Sequence, residues 1–324
     1  MDSRSRPDQD GRPDPCHCVL LHDGPEACLE GLQAFLAHEE TAAPLFAVVT
    51  PETYRTISPA IGAQVAYQDV TLLGRNPARV IPAIQQFVER CGSSSRARVV
   101  TEQWWAQRQP AERAELARHE ALTNLAFDGH HVEMVCLYDS RNLPAGVIDN
   151  AIKTHPCTVD ASGVHLNPGF VDPAAVIELS DRSVEPPPPQ VQALQVGPGR
   201  LSALRSAVHD RAAREGLPKG RVEDLVLAAN ELATNVVRHG EGNGELRMWT
   251  DDSWLVCEVV DAGRVEDPFA GRRPPPAGDT TGRGLWMVNQ LCDLVEMRSN
   301  PAGTSVRLRF VLPRTGGTAA PLGC

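Results

Sequence analysis

Residues 221–239 read RVEDLVLAANELATNVVRH, and this stretch, with the order of the motifs after it, decides the fold of the second half of the chain. Val222, Leu225, Ala229, Leu232 and Val236 recur at helical spacing and mark a stripe that faces a core. Glu231 and Asn235 stand four residues apart, one turn above the other on a shared face. A carboxylate and a carboxamide placed this way can take a proton from an attacking hydroxyl or water and hold Mg²⁺ beside phosphates. A helix over 201–215 precedes this one, and strands over 245–250 and 254–261 come after it. The second strand ends Val259-Val260-Asp261-Ala262-Gly263, a carboxylate beside a glycine that permits close backbone approach. A Pro/Gly/Arg-rich stretch, 271–282, reads as a long mobile loop. Gly282-Arg283-Gly284-Leu285-Trp286-Met287-Val288 then opens a helix that runs over 284–292. Closing strands fall at 294–299 and 305–311, the last entered through Ala302-Gly303-Thr304. These elements predict an α+β sandwich with its helices on one face of a mixed sheet.

Outward from this segment, the chain of 324 residues is long enough for about two domains, and 42% apolar residues supply a core for each. Lys+Arg of 31 against Asp+Glu of 41 leaves a net charge of −10, which argues against a protein built to neutralise nucleic-acid or lipid phosphates. No direct nucleic-acid or membrane partner is expected. The first fifteen residues lack the apolar core of a signal peptide and no apolar run is long enough to span a bilayer, so the expected compartment is the cytoplasm. Nine cysteines without C-x-x-C pairs read as free thiols. Cys16-His17-Cys18 reads as packing rather than as a metal or redox site.

In the first half, apolar strand runs at 18–21, 45–50, 65–68, 98–101 and 133–137 alternate with helical patterns over 26–38, 77–91 and 110–128. Such alternation predicts a mostly parallel α/β sheet. Lys153-Thr154 follows Ile152 where a phosphate loop requires glycine, so no P-loop is present. Glu102, Trp104, Glu120, Tyr138 and Asp139 are expected to line one pocket, because several lie just past strand ends, where open parallel sheets bind ligands. His119 and Glu120 lack the spacing of a metal pair. Pro186-Pro187-Pro188-Pro189 marks the boundary between the halves.

The series Glu231/Asn235, Asp261/Gly263, Gly282-Arg283-Gly284 and Thr304 resembles the Bergerat, or GHKL, ATP-binding fold of histidine kinases, gyrase and Hsp90. Within it the chain is most similar to the anti-sigma regulatory factors with serine-protein kinase activity. The resemblance implies Glu231 as general base and Asn235 as Mg²⁺ ligand. It implies Asp261, helped by Thr304, as acceptor for the adenine amino group, and Gly263 as the point where backbone closes on the base. Gly282 and Gly284 would cradle ATP phosphates, with Arg283 offsetting their charge. Val265 stands where the family has a second glycine, a departure that bears on lid closure and turnover.

Residues 16 to about 160 resemble the MEDS sensory domain, named for methanogen, methylotroph and DcmR-type sensors and related to RecA-like folds. His22-Asp23-Gly24, Leu73-Gly74-Arg75-Asn76-Pro77, Glu102-Gln103-Trp104-Trp105, Arg118-His119-Glu120, Tyr138-Asp139 and His155-Pro156 carry this likeness. The joint architecture resembles regulators of the RsbA type. It implies a tail at 1–15, a RecA-like parallel-sheet sensor at 16–178, a Pro-rich linker at 179–196, an ATPase and anti-sigma kinase domain at 197–314 and a tail at 315–324. The implied function is a switch that sequesters a sigma factor and phosphorylates a serine of a STAS-type anti-anti-sigma partner, under a small-molecule signal at the sensor. Homodimers are common among such relatives. The second reading is a nucleotide-gated binding protein without kinase activity, for which Val265 speaks. A histidine kinase is disfavoured, because His209 lies only 22 residues before Glu231, too few for a separate phosphoacceptor hairpin.

Overall fold

The computed structural model describes residues 17–37, 43–62, 65–92, 96–103, 108, 110–182, 185–239, 243–251, 253–276 and 282–313. Two compact units divide the chain, Met1–Ser183 and Val184–Cys324.

The first unit runs β1 (His17–His22), α1 (Pro25–Leu36), β2 (Leu45–Val49), α2 (Pro51–Ile61), β3 (Val65–Asp69), α3 (Val70–Leu73), a 3₁₀ turn (Pro77–Arg79), α4 (Val80–Cys91) and β4 (Ala97–Thr101). It continues with α5 (Pro110–Ala126), β5 (Val132–Asp139), a 3₁₀ turn (Ser140–Asn142), α6 (Ala145–Thr154), β6 (Cys157–Asp160), β7 (Gly163–Leu166) and α7 (Pro173–Arg182). Its sheet has the order β3-β2-β4-β5-β1-β6-β7, with only the β6–β7 pair antiparallel. β2 and β4 are buried along their whole length, as strands covered on both faces must be; β2 is an unbroken apolar run, while β4 also buries Arg98 and Thr101. Alternation splits β1 between two cores. Cys18 and Leu20 meet α1 residues Leu32 and Phe35 on one face, while Val19 joins Leu116 of α5 and Ala151 of α6 on the other.

The second unit contains β8 (Ala193–Val196), α8 (Leu201–Arg214), α9 (Lys219–His239), β9 (Gly244–Asp251), β10 (Trp254–Asp261), α10 (Arg283–Leu291), β11 (Leu294–Asn300) and β12 (Gly303–Val311). The sheet order is β11-β12-β10-β9-β8. Leu204 and Val208 of α8, the α9 stripe and Val288 of α10 share one core with Leu246, Leu255, Cys257, Leu308 and Phe310 of the sheet.

Several expectations are corrected. The second sheet is not mixed: every pairing among the described residues is antiparallel, since tight turns at Ser253 and at Pro301-Ala302 reverse the chain directly. The expected helix over 77–91 is a 3₁₀ turn capped by Asn76 and then α4. The expected linker over 179–196 begins in the last turn of α7 and ends in β8, which pairs with β9 through Val196 and Gly244. β8 exposes three of its four residues, so it carries no apolar signal. Among the described residues Cys28, Cys136 and Cys257 are free thiols, and Cys16 and Cys324 lie outside the described residues. Among the described residues no helix is long and apolar enough to cross a membrane.

Candidate nucleotide site

The buried stripe of α9 holds that helix on the sheet and leaves Glu231 and Asn235 half-buried beside it. The head of α10 closes over this pair. Gly282 caps the helix in the left-handed conformation, φ 74°, with no side-chain cap, so the first-turn N–H groups are left for another acceptor. At Gly284 a Cβ would stand 2.9 Å from Glu231 Oε2 and 3.8 Å from Asn235 Nδ2. Glycine there lets the helix N-terminus, with its partial positive charge, lie directly against the carboxylate and carboxamide. Arg283 is exposed at the same helix head.

Asp261, the last residue of β10, is flanked in register by Gly244 of β9 and Thr304 of β12. Its Oδ1 accepts from the Gly263 N–H at 2.6 Å, which turns the chain sharply after the strand. Thr304 Oγ1 donates to the Gly263 carbonyl at 2.8 Å and meets Ser299 Oγ at 3.0 Å. Asp261 Oδ2 has no hydrogen-bond partner among the described residues and is open to a donor such as an amino group. Burial raises the Asp261 carboxyl above the usual aspartate range, and the Gly263 N–H opposes this. Gly303, at φ 129°, lets β12 reach this point, since a Cβ there would lie 2.2 Å from the Asp261 carbonyl oxygen.

Val265 donates its N–H to Ser299 Oγ at 2.9 Å and packs against the apolar core. The valine therefore has a structural use of its own. The loop expected over 271–282 is tethered at its start: Asn289 Nδ2 donates to the Gly271 carbonyl at 3.0 Å, and Asp267 Oδ1 accepts from the Phe269 N–H at 2.9 Å. Asn289 and Gly271 were not legible as site elements, because 18 residues separate them. Residues 277–281 of that loop lie outside the described residues. His209 is exposed on α8, its Nδ1 3.3 Å from Asp210.

The five residues expected to line one sensor pocket do not all meet. Tyr138 Oη donates to Glu120 Oε1 at 3.0 Å, both fully buried between β5 and α5. Asp139 follows Tyr138 and so points to the opposite face, where it accepts from Arg141 Nε at 2.9 Å and is held below the usual range by that guanidinium. Glu102 Oε2 is taken by Thr50, at 3.0 Å from its N–H and 2.9 Å from its hydroxyl. Trp104 lies outside the described residues. Glu120 meets instead His17, Cys136 and His155, which sequence spacing does not connect. Burial lowers the His155 ring to about 3, so it is neutral. Burial works against ionisation of Glu120, yet the neighbouring His17, His155 and His119 rings hold its carboxyl down at about 2.

Residues 16–156 match the family model of the methanogen/methylotroph, DcmR sensory domain, MEDS, and residues 194–310 match that of the histidine kinase-like ATPase domain. A curated relative, the serine-protein kinase RsbW of Halalkalibacterium halodurans, is 26% identical over 125 residues, which are 34% of this chain and 76% of the relative. A crystal structure of the RsbU and RsbW domains of Rv1364c from Mycobacterium tuberculosis aligns at TM-score 0.30 and 19% identity. That alignment covers 43% of this chain and 40% of the crystallised one, less than half its length. The chain thus joins a MEDS sensory domain to a histidine kinase-like ATPase domain.

Proposed function

We propose that the C-terminal unit binds ATP with Mg²⁺ and acts as an anti-sigma switch, sequestering a sigma factor and phosphorylating a serine of a STAS-type antagonist, with the MEDS unit biasing the choice. The observation that carries this reading is the contact of the Gly282-Arg283-Gly284 helix head with Glu231 and Asn235, residues about fifty positions upstream. The relative's printed name, a serine-protein kinase, supports the choice of a hydroxyl acceptor. A helix head that lies against Glu231 and Asn235 at Gly284 and an open oxygen on half-buried Asp261 fit a nucleotide.

When bound, ATP supplies the transferable phosphoryl group and Mg²⁺ the countercharge for the phosphates. Glu231, half-buried on α9, accepts the proton of the incoming serine hydroxyl. Asn235 offers its amide oxygen to the cation. Asp261 Oδ2 accepts from the adenine amino group, while the Thr304 hydroxyl fixes the Gly263 carbonyl beside it. The first-turn N–H groups of α10 and Arg283 would hold the phosphates, beside the 267–276 loop that Asn289 tethers at Gly271.

The test is transfer of label from γ-labelled ATP to a STAS-domain partner by the full-length chain. Mg²⁺-dependent label on one partner serine is the expected result. ATP binding without label on any STAS partner would overturn the kinase reading in favour of a nucleotide-gated regulator.

A further inference from the structure

Four buried side chains from four separate elements converge in the N-terminal unit: His17 from β1, Glu120 from α5, Cys136 from β5 and His155 from the end of α6. One donor atom of each lies within 4.8 Å of all the others. His17 Nε2 is 3.2 Å from Cys136 Sγ and 3.3 Å from Glu120 Oε2. His155 Nε2 is 3.7 Å, and Cys136 Sγ 3.9 Å, from the same oxygen. The edges of a tetrahedron around a zinc ion with N, O and S ligands are about 3.3–3.8 Å, so little movement would bring all four donors onto one centre.

The surrounding hydrogen bonds aim these atoms inward. Asn124 Nδ2 donates to the carbonyls of Glu120 and Thr154, at 3.0 and 2.7 Å, which fixes its amide and turns Oδ1 to His17 Nδ1 at 3.2 Å. His17 therefore carries its proton on Nδ1 and presents a lone pair at Nε2. His155 does the same, since Nδ1 donates to the Ala151 carbonyl at 2.8 Å. Its Nε2 is fully buried, without a hydrogen-bond partner, and faces a carboxylate oxygen. Two lone pairs facing each other in a dry interior repel unless a cation lies between them. Tyr138 holds Glu120 Oε1 and leaves Oε2 inward, and Thr101 Oγ1 donates to Cys136 Sγ at 3.0 Å. Outer partners of this kind, on every ligand, are what orient a metal's ligands.

We propose that His17, Glu120, Cys136 and His155 hold a divalent transition metal ion, zinc by the chemistry of the donors. A sulfur, two imidazole nitrogens and a carboxylate suit zinc and not the all-oxygen preference of calcium or magnesium. A thiolate and a carboxylate cancel the charge of a divalent ion, so the buried site is neutral overall. Four protein ligands fill a tetrahedral sphere, which makes the site a clamp that ties α5 to the central strands β1 and β5.

The experiment uses full-length protein with any affinity tag removed. Elemental analysis gives one zinc per chain. After unfolding with a chelator and refolding with Co²⁺, the chain shows the strong visible bands of tetrahedral cobalt and a thiolate-to-cobalt charge-transfer band. Cys136→Ser removes the charge-transfer band, and Glu120→Gln lowers metal content, each checked for folding by circular dichroism. Wild-type protein that holds no stoichiometric metal as purified, and shows no thiolate–cobalt band after refolding, overturns the proposal whatever the variants do.

Discussion

Glu231→Gln leaves ATP affinity nearly unchanged and slows phosphoryl transfer to the partner serine by about 10²–10⁴-fold, the range that a positioned general base contributes. The substitution keeps the shape that packs against Gly284, where a Cβ would stand 2.9 Å from Glu231 Oε2. What it removes is the capacity to accept a proton, because an amide oxygen is a far weaker base than a carboxylate. In the proposed site adenine and phosphate recognition rest on other residues, Asp261, Thr304 and the α10 head, so affinity is expected to survive. Single-turnover label transfer and calorimetry on the same protein separate the two effects. A variant that transfers label at the normal rate would remove Glu231 from the role of base.

Gly303→Ala destabilises the C-terminal unit by about 2–6 kcal/mol, combining the strain of a left-handed backbone with overpacking. Gly303 sits at φ 129°, and its Cβ would lie 2.2 Å from the Asp261 carbonyl oxygen and 3.2 Å from Ala262 Cα. Both neighbours are backbone and cannot swing aside as a side chain could. The loss is a large share of the roughly 5–15 kcal/mol that stabilises a typical domain. Gly199→Ala is the control. It too has positive φ, 76°, but nothing stands within 4 Å of the added carbon, so only the conformational cost of about 1 kcal/mol remains. Denaturant melts of the full-length chain measure both. Equal losses would show that the close approach of β12 to Asp261 is not rigid.

Long periodic segments made most of the fold legible. The stripe from Val222 to Val236 and the buried runs of β2, β4 and β10 reach their places through patterns visible within a dozen residues. Strand partners are a different matter: nothing within β9 or β12 states which neighbour each will take, so a wholly antiparallel sheet reads as a mixed one. β8 escaped because only Val196 is buried. α2 escaped because Ile57 is its only fully buried residue, with Tyr54 and Ile61 partly buried against the same core, although Thr50 and Pro51 supply a proper helix start.

The residues of the candidate nucleotide site stand in the sequence as separate motifs, Glu231/Asn235, Asp261/Gly263 and Gly282/Gly284, and the fold brings the first and third into contact. The tether from Asn289 to Gly271 was not readable, since it depends on how a loop lies across a helix. The cluster in the first unit was the least legible feature. His17 and His155 are at opposite ends of that unit in sequence, and only the adjacency of β1, β5 and β6 joins them. Sequence grouped Glu120 with Asp139, whereas the pleat of β5 sends Tyr138 and Asp139 to opposite faces.

A working Mg²⁺-dependent nucleotide site in the second unit, on which the proposed function depends, is probed without intermediaries by titrating ATP into full-length protein in a calorimeter. The titration is made with and without Mg²⁺, and repeated on Asn235→Ala. Binding in the micromolar range or tighter is expected with Mg²⁺, weakened at least about tenfold in the variant, which corresponds to about 1.4 kcal/mol. Absence of ATP binding by the folded wild-type chain, or binding indifferent to both Mg²⁺ and Asn235, would refute such a site.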